Sequence, residues 1–283
     1  MIGLDPVYLE SVVKSAIAED VGSGDITTLL TIPNDMTARG VITAKESGII
    51  AGQELAWVVF HEFFTQTMYE PLIRDGKHVK AGTVIGNVSG KARTILTGER
   101  VALNFLQRMS GIATLTAKYV DQVKHTKARI VDTRKTTPGL RRLEKYAVTC
   151  GGGYNHRFGL DDGILIKDNH IAAAGGITAA IEAAKDSAPH TLKIEVEVTN
   201  INGLEEAIKA GADIVMLDNM PLDQMRRAVT FTDGKVLLEA SGGVSLKSVK
   251  EIAETGVDLI SVGALTHSAP AMDINLEIVG DIV

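Results

Sequence analysis

The sequence predicts an α/β protein of two domains, the second of which is an open or reduced barrel of parallel strands. With 283 residues, the chain has room for one large or two modest domains. Only 4% of the residues are aromatic, while aliphatic residues are plentiful and there are 28 glycines, a composition typical of buried parallel strands with glycine turns. In the second half, short β-rich segments alternate with helical intervals, which indicates βαβ units.

The first half of the chain predicts a separate α+β domain, joined to the second near residue 110 without a long Pro- or Ser-rich linker. Its expected elements are a helix over residues 1–20, a turn at Gly22–Asp25, strands at Ala38–Ala44 and Thr83–Val88, and helices at Trp57–Thr65 and Ser89–Val123. Within the last helix, Gly111 marks an expected bend or break.

The second half contains six β-rich segments: Ala128–Asp132, Gly163–Asp168, Lys193–Val198, Asp213–Leu217, Lys235–Glu239 and Leu259–Val262. Helical spacing of Ala, Glu and Ile predicts helices at Ile177–Lys185 and Gly203–Ala210. Because six strands are fewer than the eight of a complete barrel, we expect an open barrel unless strands have been missed. Several segments end in charged residues, where barrel enzymes place their catalytic groups.

Composition excludes several classes of protein. The 29 basic and 35 acidic residues give a net charge of −6, so the average surface does not favour nucleic acid or membranes. A single cysteine, Cys150, excludes a disulfide framework and a multi-cysteine zinc site, and its type favours a small buried thiol. The first residues carry no secretory signal, and the longest stretch without charged side chains, Leu259–Met272, is too short and polar to span a bilayer. We therefore expect a cytoplasmic globular protein.

The densest chemical signal is the basic segment Arg129–Lys145, which has six basic and two acidic residues. It is either a solvated charged surface or an anion site. Arg134 and Lys135 directly follow a predicted strand, which favours a bound carboxylate or phosphate. The glycine run at 151–153 is either a flexible loop or a close approach to ligand, and His156 with Arg157 adds two expected cationic donors.

Further polar residues end the later strands. Lys167 is expected either to contact an anion or to act as a Schiff-base nucleophile. Glu195 and Glu197 alternate along one strand and therefore share a face, and Asp218 is their match on the next strand. These carboxylates form either a magnesium or ribose site or an internal salt-bridge network. Two glycine turns, Ser241–Gly243 and Val262–Ala264, predict backbone contacts to a phosphate. Together these features indicate an enzyme for a small, multiply anionic, phosphorylated substrate.

The chain resembles the quinolinate phosphoribosyltransferase family in order from about residue 10 to residue 276. The matching blocks are Glu19–Thr28, Lys45–Gly52, Glu99–Asn104, Ser110–Thr114, Asp132–Gly139, Gly151–Gly153, Asn155–Arg157, Leu165–His170, Glu195–Glu197, Met216–Asn219, Glu239–Gly243 and Ser261–His267. The resemblance implies an N-terminal α/β sandwich (1–110), a C-terminal open α/β barrel of the type II phosphoribosyltransferase kind (111–274), and a tail (275–283) that returns to the first domain.

The resemblance also implies a reaction: quinolinate and 5-phosphoribosyl 1-diphosphate give nicotinate mononucleotide, diphosphate and CO₂ with Mg²⁺, in de novo NAD synthesis. It implies a homodimer or an assembly of dimers in which Arg100 enters the neighbouring active site. The implied catalytic residues are Lys135, Lys167, Glu197 and Asp218, with the last two near Mg²⁺, directly or indirectly. The implied substrate-binding set comprises these four and Arg100, Thr133, Arg134, His156, Arg157, Ser241, Gly242, Gly243, Val262, Gly263 and Ala264.

Two alternatives stay open on the sequence. A related phosphoribosyltransferase of the molybdenum-operon type would act on another acid. A non-catalytic sensor of phosphorylated ligands could use the same fold, although it would have no use for both carboxylates and Lys167.

Overall fold

The computed structural model describes residues 4–62 and 67–279, which contain eleven helices and twelve strands. The helices are α1 (Pro6–Val21), α2 (Ile26–Thr31), α3 (Gln53–Glu62), α4 (Ala92–Val123), α5 (Arg141–Cys150), α6 (Asp168–Ala174), α7 (Ile177–Ser187), α8 (Ile201–Ala210), α9 (Leu222–Thr232), α10 (Val249–Ala253) and α11 (Ala264–His267). The strands are β1 (Thr37–Ala44), β2 (Gly48–Ile49), β3 (Thr67–Pro71), β4 (His78–Val79), β5 (Val84–Lys91), β6 (Arg129–Val131), β7 (Ile164–Ile166), β8 (Ile194–Val198), β9 (Ile214–Asp218), β10 (Leu237–Ser241), β11 (Leu259–Ser261) and β12 (Ile274–Ile278). None of the helices described is long and apolar enough to cross a membrane.

The chain divides into two compact units. The first comprises Met1–Ala117, Arg142–Gly152 and Ala269–Val283, and the second comprises Lys118–Arg141 and Gly153–Ser268. The expected boundary near residue 110 falls inside α4, and α5 belongs to the first unit although it follows β6 in the chain. The chain returns to the first unit twice, at Arg142 and at Ala269, so no single boundary position separates the two units.

The first unit is built on an antiparallel sheet of strand order β12-β1-β5-β3. Alternate residues of β1 are buried, among them Ala38, Ile42 and Ala44, as expected for a strand with one face on a core. On the same core, the rings of Phe60 in α3 and Tyr69 in β3 lie 5.7 Å apart. Because β12 pairs with β1, the chain from 274 to 278 returns to this sheet, whereas residues 280–283 lie outside the described part.

Helix α4 runs without interruption for 32 residues, so there is no break at Gly111. A Cβ atom at this position would lie 2.0 Å from the carbonyl oxygen of Pro270. The glycine therefore permits close packing of the chain near residue 270 against the helix, and does not interrupt the hydrogen-bonded backbone. Other helix limits shift slightly: the helix expected at 57–65 begins at Gln53, and residues 63–65 lie outside the described part.

Cys150 is buried at the end of α5, as its residue type predicts. Burial, with the Asp75 carboxylate as a smaller cause, raises the pKa of its thiol to about 12. The thiol is therefore protonated at neutral pH and behaves as a small apolar side chain.

The second unit is an open α/β barrel. Each of the six β-rich segments overlaps one strand, although β9 and β10 run past the predicted ends at Leu217 and Glu239. Within the described chain these strands form a parallel sheet of order β6-β11-β10-β9-β8-β7. Consecutive strands β6 and β7 lie at opposite edges, so the sheet follows barrel order but is open between them. Tyr154 adds a single parallel bridge to Val131 at the β6 edge. The carboxyl ends of all six strands therefore meet on one side.

Helix ends in this unit follow local sequence signals. Asn200 precedes α8, and its side-chain oxygen accepts a hydrogen bond from the Gly203 N–H at 2.9 Å, which is a regular N-cap. Gly211 ends the same helix with a φ of +88°, a left-handed conformation that costs glycine little. These caps define where the chain turns back toward the next strand.

Candidate active site

A cavity of about 660 Å³ lies at the carboxyl ends of the barrel strands. It is lined by thirteen of the fifteen residues expected to bind substrate: Thr133, Arg134, Lys135, His156, Arg157, Lys167, Glu197, Asp218, Ser241, Gly242, Gly243, Gly263 and Ala264. They come from the ends of all six barrel strands and from the segment after Tyr154. The structure thus brings together residues up to 131 positions apart in sequence.

Two expected residues do not line the cavity as the structure describes it. Val262 is 1% exposed, and its backbone N–H donates to the Val131 carbonyl, so both its side chain and its amide serve the barrel core. Arg100 is exposed on α4 and is absent from the cavity lining. The family resemblance implies that Arg100 enters the active site of a neighbouring subunit, and the structure contains one chain.

Asp132 anchors the segment that carries His156 and Arg157. Its carboxylate is fully buried; Oδ2 accepts a hydrogen bond from Asn155 Nδ2 at 2.6 Å, and Oδ1 accepts one from the His156 N–H at 2.9 Å. Carboxylates bound to amide donors in the protein interior hold a loop in one conformation. Asp132 therefore positions the next two cavity residues, a role that its place at a strand end did not reveal.

His156 lines the cavity, and its ring contacts both the neighbouring backbone and a buried carboxylate. Its Nδ1 accepts a hydrogen bond from the Arg157 N–H at 2.8 Å. Nε2 in turn lies 3.0 Å from Glu195 Oε2. Both ring nitrogens are thus engaged by the protein, and His156 joins the cavity wall to a buried carboxylate.

The basic segment 129–145 does not act as one cluster. Only Arg134 and Lys135 line the cavity. The other four basic residues of the segment contact the protein itself: Arg129, Arg141, Arg142 and Lys145. Arg129 lies over the Tyr154 ring, Arg141 donates to the Phe158 carbonyl, and Lys145 is fully buried. The number of charges in the segment could not distinguish the two cavity residues from the other four, because it does not show where each side chain points.

Two guanidinium groups converge at the cavity. Burial and the neighbouring Arg134 lower the pKa of Arg157, while Glu195 and Asp162 act in the opposite direction. Arg157 is also held by a 2.9 Å hydrogen bond from Nη1 to the Gly163 carbonyl. Neighbouring cations repel each other, so an anion bound between them relieves this repulsion and gains charge-assisted hydrogen bonds.

Lys167 is paired with a carboxylate. Its Nζ lies 2.9 Å from Glu197 Oε2, and its side chain is 46% exposed, so the ammonium faces both the cavity and its partner. Glu195 and Glu197 lie on one face of β8, as their alternation predicts, and each has a basic partner. Nearby, Asn219 Nδ2 donates to Asp218 Oδ2 at 3.0 Å and fixes that carboxylate.

The glycine turn after β10 presents backbone N–H groups to the cavity. Gly242 and Gly243 have φ values of +95° and +58°, and neither backbone N–H donates a hydrogen bond within the described residues. Successive amides in such a turn form a concave site for an anion. Gly242 also has no room for a side chain, since a Cβ atom would lie 2.2 Å from Asn219 Oδ1.

Comparisons with known proteins cover nearly the whole chain. The family model for the N-terminal domain of quinolinate phosphoribosyl transferase matches residues 25–110, and the model for its C-terminal domain matches residues 112–277. The chain belongs to the quinolinate phosphoribosyltransferase family. This membership accounts for both the open barrel and the antiparallel sheet of the first unit.

Individual members of the quinolinate phosphoribosyltransferase family are similar over their full length. A probable nicotinate-nucleotide pyrophosphorylase (carboxylating) of Bacillus subtilis is 44% identical, covering 97% of this chain and 95% of the relative. The Mycobacterium leprae nicotinate-nucleotide pyrophosphorylase (carboxylating) is 45% identical, with 94% and 95% covered. The solved nicotinate-nucleotide pyrophosphorylase of Francisella tularensis superposes with a TM-score of 0.94 at 42% identity and covers 98% of both chains.

Several cavity residues of this quinolinate phosphoribosyltransferase family member were not expected from the sequence: Leu165, Met216, Asn219, Glu239, Val244, Ser261 and His267. Glu239 could have been found, because it lies two residues before Ser241 and so on the same face of β10. Asn219 has a φ of +51°, an uncommon value outside glycine, which the sequence does not display.

Replacing Gly242 by alanine is expected to destabilise the protein by roughly 3 kcal/mol, because the new Cβ must displace Asn219 and the backbone angle is strained. Gly243→Ala is the matched control: it also has a positive φ, but nothing lies within 4 Å of its Cβ position. We expect it to cost only about 1 kcal/mol. Denaturant unfolding of both variants measures the difference, and equal losses would contradict the steric account.

Proposed function

We propose that this chain transfers the phosphoribosyl group of 5-phosphoribosyl 1-diphosphate to quinolinate and releases CO₂, giving nicotinate mononucleotide and diphosphate in de novo NAD synthesis. The observation that carries the proposal is the match of both family domains to residues 25–110 and 112–277. The cavity supports it independently, since cations and two carboxylates meet there beside a glycine turn.

Quinolinate carries two carboxylates, and the cationic side of the cavity suits them. Arg134 and Arg157 supply planar guanidinium groups, which match a carboxylate in two hydrogen bonds, and Lys135 adds a point charge. We propose that Arg100 of the partner subunit completes this pocket in a homodimer or an assembly of dimers. His156 contributes by its position in the wall, with Thr133 beside it.

Other residues of the cavity lining suit the phosphoribosyl group. The amides of Ser241–Gly243, with those of Gly263 and Ala264, would hold the 5-phosphate; the Val262 amide, also expected there, is engaged by the Val131 carbonyl. Glu197 and Asp218 would face the ribose and stabilise the positive charge that develops at its anomeric carbon as diphosphate leaves. Lys167, paired with Glu197, would lie between the two substrates. Ring nitrogen and anomeric carbon are then held in place for bond formation.

The residues present fit a role for Mg²⁺. Glu197 and Asp218 offer oxygen donors, which Mg²⁺ prefers, but one oxygen of Glu197 is engaged by Lys167. These two carboxylates would therefore hold the ion together with substrate oxygens, directly or through water. When bound, Mg²⁺ supplies positive charge that neutralises the leaving diphosphate.

Decarboxylation needs little from the protein after the first step. Once the ring nitrogen carries the ribosyl group, the pyridinium accepts the electron pair that CO₂ leaves behind, and a proton then replaces the lost carboxylate. The chain's contribution is to keep the dicarboxylate in place between Arg134 and Arg157. We also propose that the enzyme acts in the cytoplasm, which agrees with its single cysteine.

A substrate comparison tests the proposal. Protein is incubated with 5-phosphoribosyl 1-diphosphate, Mg²⁺ and either quinolinate or nicotinate, and the nucleotide product is identified by mass. Rapid turnover of quinolinate alone is expected, because nicotinate lacks one of the two carboxylates. Turnover of another acid only would favour the molybdenum-operon type of enzyme, and binding without any turnover would favour a sensor; either result would overturn the proposal.

A further inference from the structure

Three titratable side chains meet at the wall of the cavity, and two of them, Glu195 and Glu239, have no role assigned in the reaction. His156 Nε2 lies 3.0 Å from Glu195 Oε2 and 3.7 Å from Glu239 Oε1, and one ligand atom from each of the three residues lies within 4.8 Å of the others. Glu195 and Glu239 are 4% and 1% exposed. Two buried carboxylates this close are costly to ionise together.

The surroundings of the two glutamates differ. Glu195 on β8 accepts the hydrogen bond of His156 and faces the Arg157 guanidinium. Glu239 on β10 lies beyond hydrogen-bond distance of His156. One oxygen of each glutamate, Oε1, has no hydrogen-bond partner among the described residues. Only Glu195 therefore contacts the histidine within hydrogen-bond distance, and Glu239 has fewer contacts that would offset a negative charge.

The groups that face Glu239 come from four places in the barrel. Glu195 on β8 and Asp132 at the end of β6 favour its protonated form, whereas His156 and the Ser261 hydroxyl on β11 favour its ionised form. Burial is the largest effect, and with Glu195 it raises the pKa of Glu239 to about 8. The carboxyl group therefore keeps its proton at neutral pH.

We propose that Glu239 is a positioning residue that acts as a neutral carboxylic acid beside the contact between Glu195 and His156. This role rests on the proposed function, because its consequence is felt by a substrate with two carboxylates. Glu239 lines the same cavity as Arg134 and Arg157. If Glu239 lost its proton, the second negative charge would oppose the binding of a dicarboxylate and disturb the orientation of His156.

The pH dependence of quinolinate affinity tests this role. Calorimetric titration is performed between pH 6.5 and 9.5 on the wild-type protein, on Glu239→Gln, and on Glu182→Gln as a control with the same charge change on an exposed site of α7. The wild-type and control proteins are expected to lose affinity about tenfold as the pH rises from 7 to 9. Glutamine stays neutral, so Glu239→Gln is expected to lack this alkaline loss. Parallel profiles for all three proteins would overturn the proposal.

Ligand-free unfolding separates this proposal from the proposed function. Because the folded-state pKa of Glu239 is raised from 4.5 to about 8, only the unfolded chain releases this proton between those pH values. Relative to Glu239→Gln, wild-type stability should therefore fall as pH rises through this window and become constant above about pH 8. A stability difference between wild type and Glu239→Gln that does not change with pH would contradict a protonated Glu239.

The remaining outcomes are also decisive. If wild-type protein binds no quinolinate at any pH, the proposed function fails, while the unfolding curves still decide whether Glu239 holds a proton. If Glu239→Gln does not fold, a ¹³C titration of glutamate-labelled wild-type protein replaces it. A glutamate carboxyl that titrates near pH 8 supports the proposal, and its absence would overturn it.

Discussion

Arg134→Ala is expected to raise the KM for quinolinate about 100-fold and to change the KM for 5-phosphoribosyl 1-diphosphate much less. Arg134 follows β6 and lines the cavity beside Arg157, where repulsion between the two guanidinium groups favours a bound anion. Losing one partner of a close charge pair costs about 2–5 kcal/mol, and about 2.8 kcal/mol corresponds to 100-fold. The phosphate of the other substrate is assigned to backbone amides of the glycine turns and not to this residue.

Steady-state kinetics with each substrate varied in turn checks this result. Arg227→Ala is the control, because it removes the same charge from an exposed position on α9 outside the cavity. It should leave both KM values unchanged. Equal losses for the two substrates in Arg134→Ala would place the residue at a shared anion site and contradict its assignment to quinolinate.

Mixing inactive Arg100→Ala with inactive Lys167→Ala is expected to restore about one quarter of wild-type activity. Random exchange makes half of the dimers mixed, and each mixed dimer has one site with intact Lys167 and an intact Arg100 from its partner, so about one quarter of all sites are complete. Arg100 is exposed on α4 and does not line the described cavity, as expected if it serves the neighbouring site.

The matched control is a mixture of Arg134→Ala and Lys167→Ala. Both residues line the cavity of one chain, so every site in a mixed dimer still lacks one of them. No recovery is expected from this pair. If mass spectrometry shows exchange of subunits but the Arg100 mixture stays inactive, the shared active site is contradicted.

Much of the second unit could be predicted from local pattern. Each of the six β-rich segments overlaps a strand, because buried parallel strands leave a strong aliphatic signal between glycine and polar turns. The alternation of Glu195 and Glu197 correctly predicted a shared face. Gly111 shows the limit of such reasoning, since the sequence marks a glycine but does not show the Pro270 carbonyl packed against it.

Most residues that line the site could be predicted from the sequence, but the contacts among them could not. Arg134 and Lys135 directly follow a strand, so the topology alone directs them to the barrel opening. The contacts of His156 could not be predicted, because they involve the Arg157 N–H and a glutamate 39 residues away. Glu239 was missed for the same reason, as its proton follows from burial and from neighbours on other strands.

The most direct test of the proposed reaction is the source of the CO₂. Quinolinate labelled with ¹⁴C in the carboxylate next to the ring nitrogen is turned over with 5-phosphoribosyl 1-diphosphate and Mg²⁺, and released CO₂ and diphosphate are counted. The account predicts one labelled CO₂ for each diphosphate, and no labelled CO₂ when the other carboxylate carries the label. Diphosphate formed without labelled CO₂, or no turnover at all, would contradict it.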